Sequence, residues 1–373
     1  MCYDSPRVRI LMDYRPALRQ RTGAGEFVHR LAEALQARLS GRDILTLFSS
    51  SWKDRLPPAV VPGARQVDVR VPVGVLNRAW HRLEWPPVEW FAGPVDIAQS
   101  MHPLLLPSRG AQFVTIHDLY FLDHPEQTRA EIRRDYPALV GSHARRAAGV
   151  IVPSEHTRRT VAARLDVPEA RMIVCSPGAP DWSPRPAPAD AGPILFVGTI
   201  EPRKNLPGLL RAYAALVRTD PGAPPLILAG RAAVPLDTRG RVDGVALDGR
   251  VHQLGYVDDG RREELYRRAS MLVMPSFDEG FGLPVLEAMT VGVPVVAARR
   301  GSLPEVLGDA GILVEPEDHD AMAAAMRRVL EDADEGARMA AAGVARAATY
   351  SWDAAAGRLY DGYAAVLGRR PAA

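Results

Sequence analysis

Along the chain, short apolar runs alternate with stretches whose apolar residues recur every three or four positions. Residues 7–12, 44–48, 112–116 and 150–152 are apolar runs of strand length. Between them, residues 26–39 carry Phe27, Leu31, Ala34, Leu35 and Leu39 at helical spacing, so all five share one face. The run 150–152 stops at Pro153-Ser154, and Ser154 is placed to cap a helix reaching Leu165. This alternation predicts a mainly parallel sheet with helices on both faces.

The rhythm then stops. Residues 183–193 read SPRPAPADAGP, with four prolines and almost no apolar bulk. Such a stretch suits a linker. Beyond it the rhythm restarts. Strands are expected at 194–197, 225–229, 271–274 and 295–297, and helices at 206–217, 263–268, 284–289 and 320–330. A last amphipathic helix, 352–367, has Ser351 as its cap. The expected organisation is a doubly wound α/β domain over 1–182, a linker over 183–193 and a second such domain over 194–350. Residues 351–373 follow as a separate helical segment.

Composition narrows the function. Lys and Arg number 46 against 44 Asp and Glu, a net charge of +2. That near-balance argues against a nucleic-acid protein. Cys2 and Cys175 are the only cysteines, far apart and at no metal-ligand spacing. The start of the chain lacks a basic segment followed by an apolar one, and no run approaches ~18 apolar residues, so the expected place is the cytoplasm. Of the basic residues only Lys53 and Lys204 are lysines. A lysine inside a motif is therefore informative.

In open parallel sheets ligands bind beyond the carboxyl ends of strands, so the loops there matter most. PSFDEGFGLPVLEAM (275–289) follows an expected strand and opens a helix. Gly280 and Gly282 permit close backbone approach. The amides of Phe281, Gly282 and Leu283 would form an anion site at the helix start. Glu279, in the loop, and Glu287, expected on the first helical turn, would supply carboxylates for hydroxyls. The plainer reading is a strand–loop–helix corner with surface acids. ILFVGTIEPRKNL (194–206) sets Arg203 beside Lys204 in a loop, a pairing suited to a diphosphate. Its plainer reading is a solvated basic pair.

Three weaker features remain. His117 and Asp118 follow the strand 112–116, where His117 would bond a sugar hydroxyl or simply pair locally with Asp118. Thr22–Gly25 (TGAG) precedes a helix but lacks the spacing of a dinucleotide fingerprint. The segment 76–91 interleaves Arg78, Trp80, His81, Arg82, Trp85, Trp90 and Phe91. A lipid or saccharide contact is one reading there, and core packing of the aromatics is the better one.

Together these segments resemble the family-4 retaining glycosyltransferases of GT-B fold. FVGTIEPRKNL, LILAGR, LGYVDD and FDEGFGLPVLEAM stand in family order, and the spacing of Glu279 and Glu287 is the most specific element. The resemblance implies two Rossmann-like domains facing a cleft, with the C-terminal helix crossing back to the first. It implies that Arg203 and Lys204 bind the donor diphosphate and Glu287 the ribose. Glu279, with the amides of Phe281, Gly282 and Leu283, would lie by the donor sugar. His117 would contact that sugar near the reaction centre, Gly25 would face the diphosphate, and residues 254–257 would lie near the base. It implies no metal and no other cofactor beyond the nucleotide-sugar co-substrate.

HDLYFLDHPE with TIEPRKNL is similar to bacterial mannosyltransferases of O-antigen and exopolysaccharide assembly. That implies GDP-mannose as donor, a saccharide or lipid-linked saccharide as acceptor, and peripheral membrane contact at most. A UDP-sugar donor is the alternative. A nicotinamide-dependent Rossmann enzyme and a non-catalytic nucleotide-sugar-binding protein are the other classes, the first opposed by the missing glycine fingerprint.

Overall fold

A computed structural model describes residues 7–18, 21, 23–39, 41, 43–128, 130–187 and 192–368. Cys2, Thr22, residues 188–191 of the proline-rich stretch and residues 369–373 lie outside the described residues. The chain forms two compact units, residues 1–178 with 351–373, and residues 179–350.

The first unit holds seven strands: β1 (Arg9–Asp13), β2 (Ile44–Ser50), β3 (Arg65–Val69), β4 (Ile97–Gln99), β5 (Ala111–Thr115), β6 (Gly149–Val152) and β7 (Met172–Val174). They pair in the order β3-β2-β1-β4-β5-β6-β7, and every pairing is parallel. The helices are α1 (Ala24–Arg38), α2 (Val73–Leu83), α3 (Glu89–Ala92), α4 (Tyr120–Asp123), α5 (Ala130–Arg146) and α6 (Glu155–Leu165). Phe27, Leu31 and Leu35 of α1 are buried, as their spacing requires. Ser154 caps α6 by accepting the Thr157 N–H.

The second unit repeats the plan. It contains β8 (Ile194–Val197), α7 (Leu206–Thr219), β9 (Leu226–Ala229), a hairpin of β10 (Arg241–Val242) and β11 (Val245–Ala246), and β12 (Val251–Gly255). Then follow α8 (Asp259–Arg268), β13 (Met271–Met274), α9 (Leu283–Val291), β14 (Val295–Ala298), α10 (Leu303–Leu307), β15 (Ile312–Val314), α11 (His319–Glu331) and α12 (Ala333–Ala347). The sheet order is β12-β9-β8-β13-β14-β15. Every residue of β8, β13 and β14 is buried, the mark of parallel strands covered on both faces. In each sheet the order reverses beside its first strand, at β1/β4 and at β8/β13.

The last helix, α13 (Trp352–Val366), belongs to the first unit. Ser351 caps it. Ala355, Ala356, Leu359 and Tyr363 join the core under α1, and the Tyr363 ring meets Phe113 at 4.9 Å.

The proline-rich stretch begins anchored to the second unit. Trp182 packs on Tyr266 with ring centroids 5.9 Å apart. The Arg185 guanidinium donates to the carbonyls of Ala269, at 2.6 Å, and Gly292, at 3.1 Å. Burial lowers its pKa to about 10.

The aromatic segment divides. Trp80 is in the core at 1% exposure, but Trp85 and Trp90 are 51% and 63% exposed, against the expectation of core packing for the group. The reason is that α2 ends at Glu84 in a left-handed conformation. The turn that follows puts the Trp85 and Trp90 rings outside, edge to face at 5.0 Å.

Gly230, at the end of β9, shows how tightly the strand ends of the second unit meet. A Cβ there would lie 1.8 Å from the Gly198 carbonyl oxygen. Gly230→Ala is expected to destabilise the second unit by about 3 kcal/mol through this backbone clash. Ser154→Ala should cost about 1 kcal/mol through loss of a cap. Urea unfolding of the two variants checks the ranking.

Candidate functional site

The site of the second unit is built from two loops at the β8/β13 reversal. After β8, a 3-10 turn over Pro202–Lys204 carries the basic pair. Asn205 follows at φ 51° and caps α7 by accepting the Gly208 N–H. Its amide also donates to the carbonyls of Pro275, at 3.2 Å, and Pro316, at 2.8 Å. The Phe277 N–H donates to the Arg203 carbonyl at 2.9 Å. The loops after β8 and β13 are thus stitched together. Asn205 had a local signal in the chain, since asparagine before a helix beginning Leu-Pro is a cap residue.

Side chains complete the junction. Lys204 Nζ donates to Glu279 Oε1, and Ser276 Oγ donates to the same oxygen at 2.7 Å. Arg203 Nη1 lies 3.4 Å from Glu279 Oε2 and donates to the Asp278 carbonyl at 3.1 Å. Lys204 and Glu279 are buried, at 7% and 5% exposure. Burial pushes the Glu279 carboxyl up, but Lys204 and Arg203 together hold it below its ordinary value. An ammonium has three donors, so Lys204 keeps capacity beyond Glu279.

Beside this pair stands the start of α9. The cap residue Gly282 has φ 101°, and a Cβ there would also meet Leu303 at 2.8 Å. Only glycine fits. Among the described residues the amides of Phe281, Gly282 and Leu283 donate to no acceptor. Open amides at a helix start suit an anion. The Phe281 side chain packs edge-on to Tyr350 at 5.6 Å, so its contribution is its backbone.

Glu287 is the fifth residue of α9, on its second turn and not the first as expected, because the helix begins at Leu283. It is buried and braced from α8. Tyr266 donates to Oε2 at 2.9 Å, and Arg262 Nη2 lies 3.2 Å from Oε1. The Arg262 guanidinium itself lies over the Trp182 ring. Neither Tyr266 nor Arg262 carried a sequence signal, since each acts through a partner more than twenty residues away.

In the first unit, His117 lies just past β5. Its ring donates to the Met101 carbonyl, and burial lowers its pKa against the pull of Asp118. Nε2 is buried and has no partner. The ring is therefore neutral, with a bare acceptor at Nε2. The edge-to-face contact with Phe27, at 5.3 Å, holds it. Gly25 is the second residue of α1 and buried. A Cβ on it would lie 2.8 Å from the Pro16 carbonyl, which gives this glycine a packing reason independent of any ligand.

Comparison with known proteins now adds to this geometry. A family model described as glycosyl transferases group 1 matches residues 184–346. O-antigen chain mannosyltransferase B of Escherichia coli is 35% identical over 266 residues, covering 66% of this chain and 69% of that protein. The chain belongs to the group 1 glycosyl transferases. A D-inositol 3-phosphate glycosyltransferase of Streptomyces griseus is 37% identical over 195 residues, which span 48% of this chain and 40% of that protein. Among solved structures, the sucrose-phosphate synthase of Thermosynechococcus elongatus superposes with a TM-score of 0.76 at 20% identity, covering 97% of this chain and all of that one. WaaG, a glycosyltransferase of lipopolysaccharide biosynthesis, gives 0.70 at 16% identity, covering 95% of this chain and 98% of that one. The fold is GT-B, and transferase activity comes with the family.

The ion pair makes a prediction about this transferase. Lys204→Met leaves a buried carboxylate short of its partner and should cost about 3 kcal/mol. Lys204→Met with Glu279→Gln should recover most of that in urea unfolding. Because the Glu279 pKa is lowered on folding, its stabilisation is present above the ordinary carboxylate range and lost as pH falls through the lowered value. Glu279→Gln should therefore flatten the acid limb of the stability profile.

Proposed function

We propose that this group 1 transferase moves a hexose, mannose from GDP-mannose, onto a saccharide or lipid-linked saccharide acceptor, with retention of anomeric configuration and without a metal. The observation that carries the reading is the junction at the β8/β13 reversal, where Arg203 and Lys204 stand with the unpartnered amides of Phe281, Gly282 and Leu283. Two cations and a helix start suit a nucleoside diphosphate leaving group. They supply by fixed charge what a metal supplies elsewhere. Glu287, held in place by Tyr266 and Arg262, would take the ribose hydroxyls. Glu279 and His117 Nε2 would accept hydroxyl protons of the donor sugar, and Gly25 would face the diphosphate. Residues 254–257 would lie near the base.

In this reading the bond between C1 and the donor oxygen breaks, and its electron pair leaves with the diphosphate. The acceptor oxygen bonds to C1 from the same face. Its proton passes to an oxygen of the departing diphosphate. Mannose is supported by the similarity to the Escherichia coli mannosyltransferase.

Work on a lipid-linked acceptor implies a cytoplasmic protein held at the membrane face by peripheral contact. No helix among the described residues is long and apolar enough to cross a membrane. The outer face of α2 supports an anionic lipid surface as partner. Val75 and Leu83 are exposed there beside Arg78 and Arg82, α2 carries no acidic residue, and Trp85 and Trp90 follow. Apolar and aromatic groups set among arginines suit a lipid interface.

Thermal shift with GDP, UDP, ADP, dTDP, CMP and NAD tests the donor. Ligand at ~100 times its dissociation constant adds about 2.7 kcal/mol. A selective response to GDP supports mannose, UDP moves the reading to a UDP-sugar, and NAD alone defeats it. Sedimentation with phosphatidylglycerol vesicles tests the surface. Trp85→Ser with Trp90→Ser should reduce binding at least fivefold, and undiminished binding would remove α2 and its flank from the reading.

A further inference from the structure

The first unit has its own sheet reversal, at β1/β4, and a second cluster of ionisable groups gathers there. Asp13 ends β1 and is wholly buried. Arg15 grips it through Nε, at 2.8 Å, and Nη2, at 2.7 Å. His102, just past β4, brings Nε2 to 3.4 Å from Asp13 Oδ2. Its Nδ1 accepts the Leu104 N–H at 3.3 Å. Arg15 Nη1 donates to Asn77 Oδ1 at 2.8 Å, which draws α2 into the cluster.

One turn beyond Asn77 on α2 is His81. Its Nδ1 meets Asp135 Oδ2 of α5 at 3.0 Å. Asp135 is gripped in turn by Arg134, which lowers its pKa to about 2. It therefore stays ionised and accepts a hydrogen bond from Nδ1–H. Burial lowers the His81 pKa more than Asp135 raises it, so Nε2 is left as a bare acceptor. The His81 side chain is 6% exposed, and Nε2 has no hydrogen-bond partner. The imidazole of His102 stands 6.5 Å away, centroid to centroid.

A buried acceptor without a donor is destabilising unless something supplies one. Here the ring is oriented by a carboxylate, as ligand-binding histidines are. Asn77 spends its oxygen on Arg15, and its Nδ2 has no partner among the described residues. Residues four apart on a helix share a face. An acceptor at His81 and a donor at Asn77 match a ligand whose neighbouring groups each donate and accept, which is the chemistry of adjacent hydroxyls.

We infer that the β1/β4 end of the first unit is a polyol-binding site, in which His81 accepts a hydroxyl of the acceptor saccharide and Asn77 donates to a neighbouring one. This rests on the transferase reading above and assigns the acceptor side of it. Asp135 is a positioning residue, since it acts through His81. Asp13, Arg15 and His102 hold α2 in place.

The test uses the full chain and methyl α-D-mannopyranoside as probe, read by saturation-transfer NMR. The wild type should transfer magnetisation to the sugar. His81→Phe keeps the ring shape but removes the acceptor, and should weaken binding at least tenfold. His81→Gln returns an amide at the Nε2 position and should restore part of it. Nucleotide binding, followed on the same samples, reports folding and the donor site separately. Intact nucleotide binding with equal sugar signals in wild type and His81→Phe overturns the inference, as does no sugar signal from the wild type. Loss of nucleotide binding in the wild type would instead defeat the transferase reading itself.

Discussion

Glu279 is a carboxylate removed from water, and it stays ionised because Lys204 and Arg203 meet it there. The candidate donor site of the second unit depends on that condition. The carboxylate comes from the loop after β13 and the cations from the loop after β8. Asn205 reaches from one loop to carbonyls after β13 and β15, and Ser302 donates through its hydroxyl to the Glu279 carbonyl. A charge pair with these hydrogen bonds around it permits one arrangement of both loops. That arrangement leaves the α9 amides open.

The two units apply one plan with different chemistry at the point where strand order reverses. In the second unit that point gathers cations and amides, suited to an anion. In the first it gathers neutral imidazoles held by carboxylates, suited to hydroxyls. His117 and His81 share a feature that links them. Each has one nitrogen fixed by a protein partner and Nε2 left bare and buried. A transferase requires both kinds of recognition, phosphate on one partner and polyol on the other.

Much of this was legible in the chain. Strands that are apolar throughout, such as β6, β8 and β13, announce themselves because both faces are covered. The capping serines of α6 and α13 act on amides three residues away, so they too can be read locally. The elements that escaped have physical reasons. β3 reads RQVDV and β12 reads VHQLG, and both are sheet edges with mostly unburied residues. α12 is rich in alanine and reads as biased composition until its buried face is seen.

The sequence by itself determined the alternation of buried strands with helices, the Arg203-Lys204 pair and the spacing of Glu279 and Glu287. These are local facts of chain geometry and residue type. Only the tertiary structure decided that Lys204 meets Glu279 across 75 residues, that Tyr266 and Arg262 brace Glu287, and that His81 finds Asp135 across 54. It alone decided that Trp80 is core while Trp85 and Trp90 face outward. The physical reason is that desolvation and hydrogen-bond partners belong to the surface that closes over a residue. That surface is assembled from segments distant in the chain.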